Sequence, residues 1–231
     1  MKIVEVSEHT FLDILDERSV VVDLGMNEGR FAREARDRYG CRVIGCEPTP
    51  ALAARLQDEP GIVCDPVAVA GKAGEVEFFV DEADPTGSSL NRSYVLGAPK
   101  PIRVQAVTLR DFFARHSLDR VDLLKMDVEG AELEILEAVG HSWLAQHVAQ
   151  MSVEFHLFRE GGARQAVERI RTWTGEYGFY SVDWTRSYMD TLFVNRAFVP
   201  VTPAIEQQMT ARKYAAAVKR RVARAIERLV G

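Results

Sequence analysis

With 231 residues, the chain is long enough to form one large domain with a substantial buried core. Hydrophobic residues make up 47% and charged residues 27%, as in an ordinary soluble globular protein, and the net charge of −5 argues against nucleic acid as the main partner. No segment approaches the roughly 18 consecutive apolar residues of a membrane span. No apolar run follows the opening MKIVEVSEH, so we expect no signal peptide and a cytoplasmic location.

The first third of the chain alternates between strand and helix patterns. In chain order, the predicted elements are a short amphipathic helix (Phe11–Leu15), a strand (Ser19–Leu24), a helix (Glu28–Tyr39), a strand (Arg42–Cys46), a helix (Pro50–Gln57) and a strand (Ile62–Val69). Repeated strand–helix units imply a parallel sheet with right-handed crossovers, and therefore an α/β fold.

The middle of the chain departs from this alternation. Gly74–Val80 has the two-residue periodicity of an antiparallel edge strand, and Ile102–Val107 is a second extended segment. Between them, Asp84–Pro101 is polar and rich in Ser, Gly and Pro, and connections of this length inside a domain are usually functional or disordered. A helix over Leu109–His116 follows, with Thr108 as its N-cap.

The last third returns to the strand–helix pattern. It is predicted to contain strands at Val121–Met126, Val148–Phe155, Tyr180–Trp184 and Thr191–Asn195, and helices at Ala131–Val139 and Gln165–Tyr177. We assign residues 1–203 to one domain.

Residues 204–231 are predicted to form a separate basic amphipathic helix. Seven Lys or Arg and one acid lie between Met209 and Gly231, and five apolar residues share one face of the helix: Val218, Val222, Ala225, Ile226 and Leu229. Such a helix either caps the domain or contacts a membrane surface or a protein partner.

The segment Val20–Gly29, VVVDLGMNEG, has the pattern of a strand, a glycine turn and the start of a helix. This geometry brings a ligand against bare backbone at a helix N-terminus. Gly25 removes a side chain that would block the approach, and Gly29 does the same or permits a positive φ. The pattern is not the G-x-G-x-x-G of dinucleotide folds, which disfavours a dinucleotide-dependent oxidoreductase.

Acidic residues stand at the ends of five predicted strands. In an open α/β sheet, ligands bind beyond the carboxyl ends of the strands. A single strand-end acid is more often a helix cap, but a set of them at one edge indicates a site. The set is Asp23, Glu47, Asp65, Asp127 with Glu129, and Glu154 with His156.

Glu47 follows Gly25 by 22 residues, close to the roughly 20 expected for an acid that binds ribose hydroxyls. A glycine turn with a ribose acid and no phosphate loop indicates a nucleoside without phosphate. S-adenosylmethionine fits this description, because acidic residues would favour its sulfonium and amino groups.

Several motifs between Val20 and Arg196 resemble the FkbM-type family of class I S-adenosylmethionine-dependent methyltransferases. They are DLGMNEG, the loop serines Ser88 and Ser89, VTLRDFF (Val107–Phe113), VDLLKMDVEGAELEIL (Val121–Leu136), SVEFH (Ser152–His156) and DTLFVNR (Asp190–Arg196). The resemblance implies the Rossmann-like class I fold, with helices on both faces of a seven-stranded sheet in which only the last strand is antiparallel. It also implies O-methylation of a sugar, polyketide or similar hydroxyl.

The resemblance assigns cofactor-binding roles to six residues. Asp23, Gly25, Asn27 and Gly29 would form the methionine side of the pocket, and Glu47 would bind the ribose. At the adenine side, Pro66 departs from the polar residue that relatives often carry, and Asp65 is the alternative contact.

Four residues are candidates for the chemistry. His156 is the first candidate for a general base, because an imidazole of pKa about 6.5 titrates where enzymes work. Glu154 could orient it or act itself. Asp127 and Glu129 would hold the amino group of the cofactor or the acceptor.

Three further residues complete the predicted site. Ser88 and Ser89 of the long loop are candidate contacts for a small-molecule acceptor. Lys125 lies between apolar neighbours, and we interpret it as the ion-pair partner of Asp127 or Glu154.

Two alternatives remain at this point. The carboxylates of Asp127, Glu129 and Glu154 with the imidazole of His156 would suit Mg²⁺ or Mn²⁺, although we do not favour a metal. The chain could also methylate nitrogen, or bind S-adenosylmethionine without catalysis. The sequence specifies neither the acceptor nor the oligomeric state.

Overall fold

The computed structural model describes residues 2–80, 88–95, 99–156, 163–184 and 190–214. The strands are β1 (Ile3–Val6), β2 (His9–Leu12), β3 (Val20–Leu24), β4 (Arg42–Cys46), β5 (Ile62–Asp65), β6 (Ala68–Val69), β7 (Gly74–Val80), β8 (Lys100–Val107), β9 (Leu123–Met126), β10 (Gln150–Glu154), β11 (Phe179–Asp183) and β12 (Asp190–Asn195). The helices are α1 (Arg30–Tyr39), α2 (Pro50–Leu56), α3 (Leu109–Arg115), α4 (Glu132–Val139), α5 (His141–His147), α6 (Ala163–Glu176) and α7, over residues 203–214.

Seven strands form the central sheet in the order β11–β12–β10–β9–β3–β4–β5. β12 is antiparallel to both of its neighbours, and the other strands run parallel to one another. The chain moves outwards from β3 to β5 and then returns to β9 on the other side of β3. This order confirms the predicted class I methyltransferase fold, and its switch point puts a ligand crevice at the carboxyl ends of β3 and β9.

The sheet is covered on both faces. Val22 and Leu24 of β3 pack into one hydrophobic core and Val21 into the other, and all three side chains are fully buried. A strand that is buried on both faces needs a nearly continuous apolar run, and this run predicts the strand at Val20–Leu24. The Thr108 cap is also confirmed, because its hydroxyl and the Asp111 carboxylate form a capping box at the start of α3.

The predicted helix at Phe11–Leu15 is wrong. Phe11 and Leu12 belong to a β1–β2 hairpin, and residues 13–15 follow it without forming a helix. The turn of the hairpin holds Ser7 and Glu8 at positive φ, without the Gly or Asn that usually marks such a turn. The Gln150 side chain accepts a hydrogen bond from the amide of Leu12 (2.9 Å) and donates one to its carbonyl (3.2 Å). These two hydrogen bonds attach the hairpin to the central sheet.

The predicted strand Ile62–Val69 is divided in two. β5 ends at Asp65 and belongs to the central sheet, whereas β6 pairs with β8 in a second sheet of order β6–β8–β7. Pro66 lies at the division, since proline has no amide hydrogen for a sheet ladder. The antiparallel excursion at β7 is confirmed by its pairing with β8, and α5 is an element that was not predicted.

The long loop is described only in part. Ser89 forms a bridge with Phe79, and Arg92–Tyr94 make one 3-10 turn. The remainder of the predicted Asp84–Pro101 loop, at 84–87 and 96–98, lies outside the described residues.

The first part of the C-terminal segment packs on the domain. Ile205 and Met209 of α7 are buried in the second hydrophobic core, and Lys213 forms an ion pair of 2.9 Å with Asp183. Residues 215–231, which carry the predicted apolar face, lie outside the described residues. In the ranges that the structure describes, no helix is long and apolar enough to cross a membrane.

Replacing Met209 with alanine should lower the free energy of unfolding by about 2–5 kcal/mol, because the side chain is fully buried and its removal leaves a cavity. Urea unfolding measures the change. Tyr214→Ala, in the same helix at a side chain 67% exposed, is the matched control and should unfold like the parent. Equal midpoints for Met209→Ala and the parent would show that α7 does not pack on the domain in solution.

Candidate active site

The turn after β3 requires glycine at two positions. Gly25 has φ +80°, and a Cβ there would lie 1.9 Å from the backbone oxygen of Asp127. Gly29, the N-cap of α1, has φ +77°, and its Cβ would lie 2.4 Å from a methyl group of Leu56. At Gly25, the loops that follow β3 and β9 therefore approach each other backbone to backbone.

Glu47 is anchored beside this turn. One carboxylate oxygen accepts a hydrogen bond from the amide of Asn27 and the other from the amide of Thr49, each at 2.8 Å. Burial raises the pKa of Glu47, and these backbone donors act in the opposite direction. A carboxylate oxygen can accept more than one hydrogen bond, so both oxygens retain capacity for ligand hydroxyls.

A cavity opens at the switch point, at the carboxyl ends of β3 and β9. Its wall is apolar on the side of the second sheet and acidic on the side of β9. The described lining residues are Gly25, Asn27, Cys46, Glu47, Pro48, Ala68, Val69, Phe78, Ser88, Leu90, Asp127, Val128 and Glu129. The cavity joins the glycine turn, the ribose candidate and part of the acidic set.

Asp23 lies beneath the turn, fully buried and outside this lining. The Nζ of Lys125 is 3.0 Å from its Oδ1, donates to the carbonyl of Gly25 at 2.7 Å and lies 3.6 Å from Asp127. Burial disfavours the ammonium, but the carboxylates of Asp23 and Asp127 outweigh it and raise the pKa of Lys125. The predicted pairing of Lys125 with Asp127 is confirmed, with Asp23 as the nearer partner.

Asp127 joins two groups of side chains at the end of β9. Its Oδ2 is 3.6 Å from the Nε2 of His9, which comes from β2. Although burial works in the opposite direction, Lys125 and His9 lower the pKa of Asp127 below its ordinary range. Asp127 is therefore a carboxylate at every physiological pH.

His156 is buried among four carboxylates. Its Nδ1 is 3.0 Å from Glu132, and its Nε2 is 3.3 Å from Glu129, 3.7 Å from Asp127 and 3.9 Å from Glu154. Burial disfavours the imidazolium, but Glu132 and then Glu129 and Asp127 raise the pKa of His156 to about 9. This raised pKa favours the imidazolium at neutral pH, which argues against the predicted role of His156 as general base.

The two partly buried glutamates of the group, Glu129 and Glu154, are weak acids. Burial, with a contribution from the charge of Asp127, raises the pKa of Glu129 to about 7 and that of Glu154 to about 7, and His156 partly offsets both shifts. Glu129 has φ +55°, and its carbonyl accepts a hydrogen bond of 2.5 Å from the Ser89 hydroxyl.

The sequence matches the methyltransferase FkbM domain over residues 23–180, more than half of its length. The chain belongs to the FkbM methyltransferase family.

One curated relative of this FkbM protein is the 2-O-methyltransferase NoeI of Sinorhizobium fredii, 27% identical over 135 residues. The aligned region covers 51% of this chain and 56% of NoeI, so the chain spans little more than half the length of that relative.

Solved structures align loosely. The fibrillarin pre-rRNA processing protein of Methanococcus jannaschii is 11% identical with a TM-score of 0.45, covering 84% of this chain and 80% of that one. A TehB-like SAM-dependent methyltransferase from Corynebacterium glutamicum is 14% identical with a TM-score of 0.39, covering 79% and 86%. Alignments this loose carry no argument about function.

In the FkbM chain, six of the twelve predicted site residues line the described cavity, and His156 lies next to them with Glu154. The six are Gly25, Asn27, Glu47, Ser88, Asp127 and Glu129. Asp23 supports the turn from below. Asp65 forms ion pairs with Arg115 (2.9 Å) and His116 (3.2 Å) and is absent from the described cavity lining. Of the two loop serines, Ser88 lines the cavity, whereas Ser89 holds the backbone next to it.

Two residues of the site were missed. Glu132 stands in the K-x-D-x-E-G-A-E motif but is 1% exposed, and it accepts hydrogen bonds from the amides of Val128 and Gly130 as well as meeting His156. Its place in a specific motif was a usable signal. His9 reaches the site through the hairpin, and nothing in its local sequence indicates this.

Proposed function

We propose that this FkbM methyltransferase transfers a methyl group from S-adenosylmethionine to a hydroxyl oxygen of a sugar or a secondary metabolite. The observation that carries the proposal is the continuous cavity between the Gly25 turn, Glu47 and the carboxylates of Asp127 and Glu129.

The cavity suits the parts of the donor one by one. The anchored carboxylate of Glu47 accepts the ribose hydroxyls, and the apolar wall of Val69, Phe78 and Leu90 covers the adenine. Asp127 faces the positively charged sulfonium and amino groups. A pyrophosphate would be repelled by the same carboxylates, which disfavours a dinucleotide.

Methyl transfer is an in-line displacement. The carbon–sulfur bond of the sulfonium breaks, a carbon–oxygen bond forms to the acceptor, and a neutral thioether leaves while the hydroxyl loses its proton. Much of the rate comes from holding the two reacting atoms close and aligned. The carboxylates of Glu129 and Glu154 are the groups that accept the proton of the hydroxyl.

The name of NoeI supports oxygen as the acceptor atom. Incubating the chain with methyl-deuterated donor and a panel of sugars and hydroxylated metabolites tests this directly. A product heavier by one labelled methyl group on oxygen supports the proposal. Labelling on nitrogen, or donor binding without any product, would replace it with the corresponding alternative.

Glu47→Gln should weaken S-adenosylhomocysteine binding at least tenfold, because a hydrogen bond to a charged group contributes about 1.5–3 kcal/mol. Calorimetric titration measures the affinity. Glu34→Gln, at an exposed α1 residue paired with Arg30, is the matched control and should bind as the parent does. Equal affinities for both variants would show that Glu47 does not contact the nucleoside.

A further inference from the structure

At the wall of the cavity, three side chains form a group whose arrangement suits a metal ion. Asp127, Glu129 and His156 each direct one ligand-type atom to a common point, and these atoms lie within 4.8 Å of one another. His9, Asp127 and Glu154 form a second such group that shares Asp127.

The imidazole of His156 is held in a fixed orientation. Glu132 is anchored by two backbone amides at 3.1 and 3.2 Å and meets Nδ1 at 3.0 Å, which directs Nε2 towards Glu129 and Asp127. A carboxylate that fixes one ring nitrogen while the other faces further oxygens is the usual outer arrangement of a metal-binding histidine.

The distances also suit an ion. Nε2 is 3.3 Å from Glu129 and 3.7 Å from Asp127, longer than a good hydrogen bond. Ligands about 2.1 Å from a central ion are separated by about 3.0–3.4 Å when they are neighbours in octahedral or tetrahedral geometry. Small side-chain movements would bring all three atoms to bonding distance.

We propose that Asp127, Glu129 and His156 bind one divalent transition-metal ion, such as Mn²⁺, at the wall of the cavity. One imidazole with two carboxylates favours Mn²⁺ or a related ion over Ca²⁺, which prefers oxygen ligands throughout.

The catalytic role of the ion rests on the proposed function, whereas its binding does not. Asp127 and Glu129 line the cavity, so coordination positions not filled by protein face the acceptor. An acceptor oxygen bound there is oriented towards the donor and made more acidic. The acceptor class that fits is a small molecule with its reacting hydroxyl next to a second oxygen, so that both can bind the ion.

Mn²⁺ binding is measured by electron paramagnetic resonance, in which the signal of the free ion falls as the full chain binds it. We expect one ion per chain. His156→Gln and Glu129→Gln should each weaken binding at least tenfold, and Glu132→Gln by about 10–100-fold through loss of orientation. His116→Gln, at a histidine paired with Asp65 outside the group, is the matched control and should bind like the parent.

Circular dichroism shows whether each variant folds, and Glu129→Gln, whose side chain is 27% exposed, covers the case in which the buried His156 variant does not. No binding at millimolar Mn²⁺, or equal binding by all variants, overturns the proposal. A loss in His9→Gln as large as in His156→Gln overturns the ligand assignment in favour of the second group. Methyl transfer that persists without bound Mn²⁺ rejects the catalytic role alone, whereas Mn²⁺ binding without any transfer rejects the proposed function.

Discussion

Lys125→Met should lower the free energy of unfolding by about 3–5 kcal/mol, the usual cost of leaving one member of a buried ion pair without its partner. Asp23 is fully buried and Lys125 is 4% exposed, so water cannot replace the lost ammonium. The Gly25 carbonyl and Asp127 lose the same donor. Because these groups form the floor of the turn, we also expect donor binding to fall sharply.

The double variant Asp23→Asn/Lys125→Met separates charge from packing. Removing both charges should recover most of the lost stability, since apolar or neutral replacements of buried pairs are often neutral. Lys213→Met breaks a pair with Asp183 in which the lysine is 38% exposed, and it should cost less than about 1 kcal/mol. Denaturant unfolding of the parent, the two single variants and the double variant measures these differences. A double variant as unstable as Lys125→Met would contradict the electrostatic explanation.

Gly25→Ala should reduce S-adenosylhomocysteine affinity by more than about 100-fold, which corresponds to nearly 3 kcal/mol. The new methyl group would overlap the Asp127 backbone oxygen at 1.9 Å, and neither backbone can move without opening the contact between the β3 and β9 loops. Left-handed backbone adds about 1–2 kcal/mol for a residue with a Cβ. Calorimetric titration and thermal unfolding measure the two effects.

Gly178→Ala measures the cost of left-handed backbone separately from the collision. Gly178 has φ +90°, and among the described residues beyond its chain neighbours no atom lies within 4 Å of the added Cβ, so it carries the conformational cost without a collision. It should lose some stability and keep its affinity for the ligand. If Gly25→Ala behaved in the same way, the close approach of the two loops would not be what shapes the cavity.

The inner strands of the central sheet could be predicted because they are buried on both faces. Val20–Leu24 and Arg42–Cys46 are apolar runs followed by Gly or an acid, and both strands lie where they were predicted. The second sheet was readable only in part. Pro66 marks the division between β5 and β6, but its effect depends on which partner strand is available on each side.

The candidate site shows the same limit. Strand-end position predicted that Glu47, Asp127 and Glu129 would line one cavity. Strand-end position could not distinguish these residues from Asp65. The Asp65 carboxylate forms an ion pair with Arg115, which is 50 residues later in the sequence. Nor could strand-end position give the pKa of His156, which depends on the carboxylates of Asp127, Glu129 and Glu132 in an earlier segment.

The β1–β2 hairpin is synthesised long before the strand on which it packs. Leu12 is bonded to Gln150, 138 residues later, and His9 lies against Ser152 and Asp127. At roughly 5–20 residues per second, a ribosome adds the partner of Leu12 roughly 7–30 s after Leu12 itself. During that interval the buried faces of Phe11 and Leu12 have no sheet to pack on. In the nascent chain, the apolar side chains of the β1–β2 hairpin therefore stay unpacked, or are covered by another molecule, until β10 has left the exit tunnel.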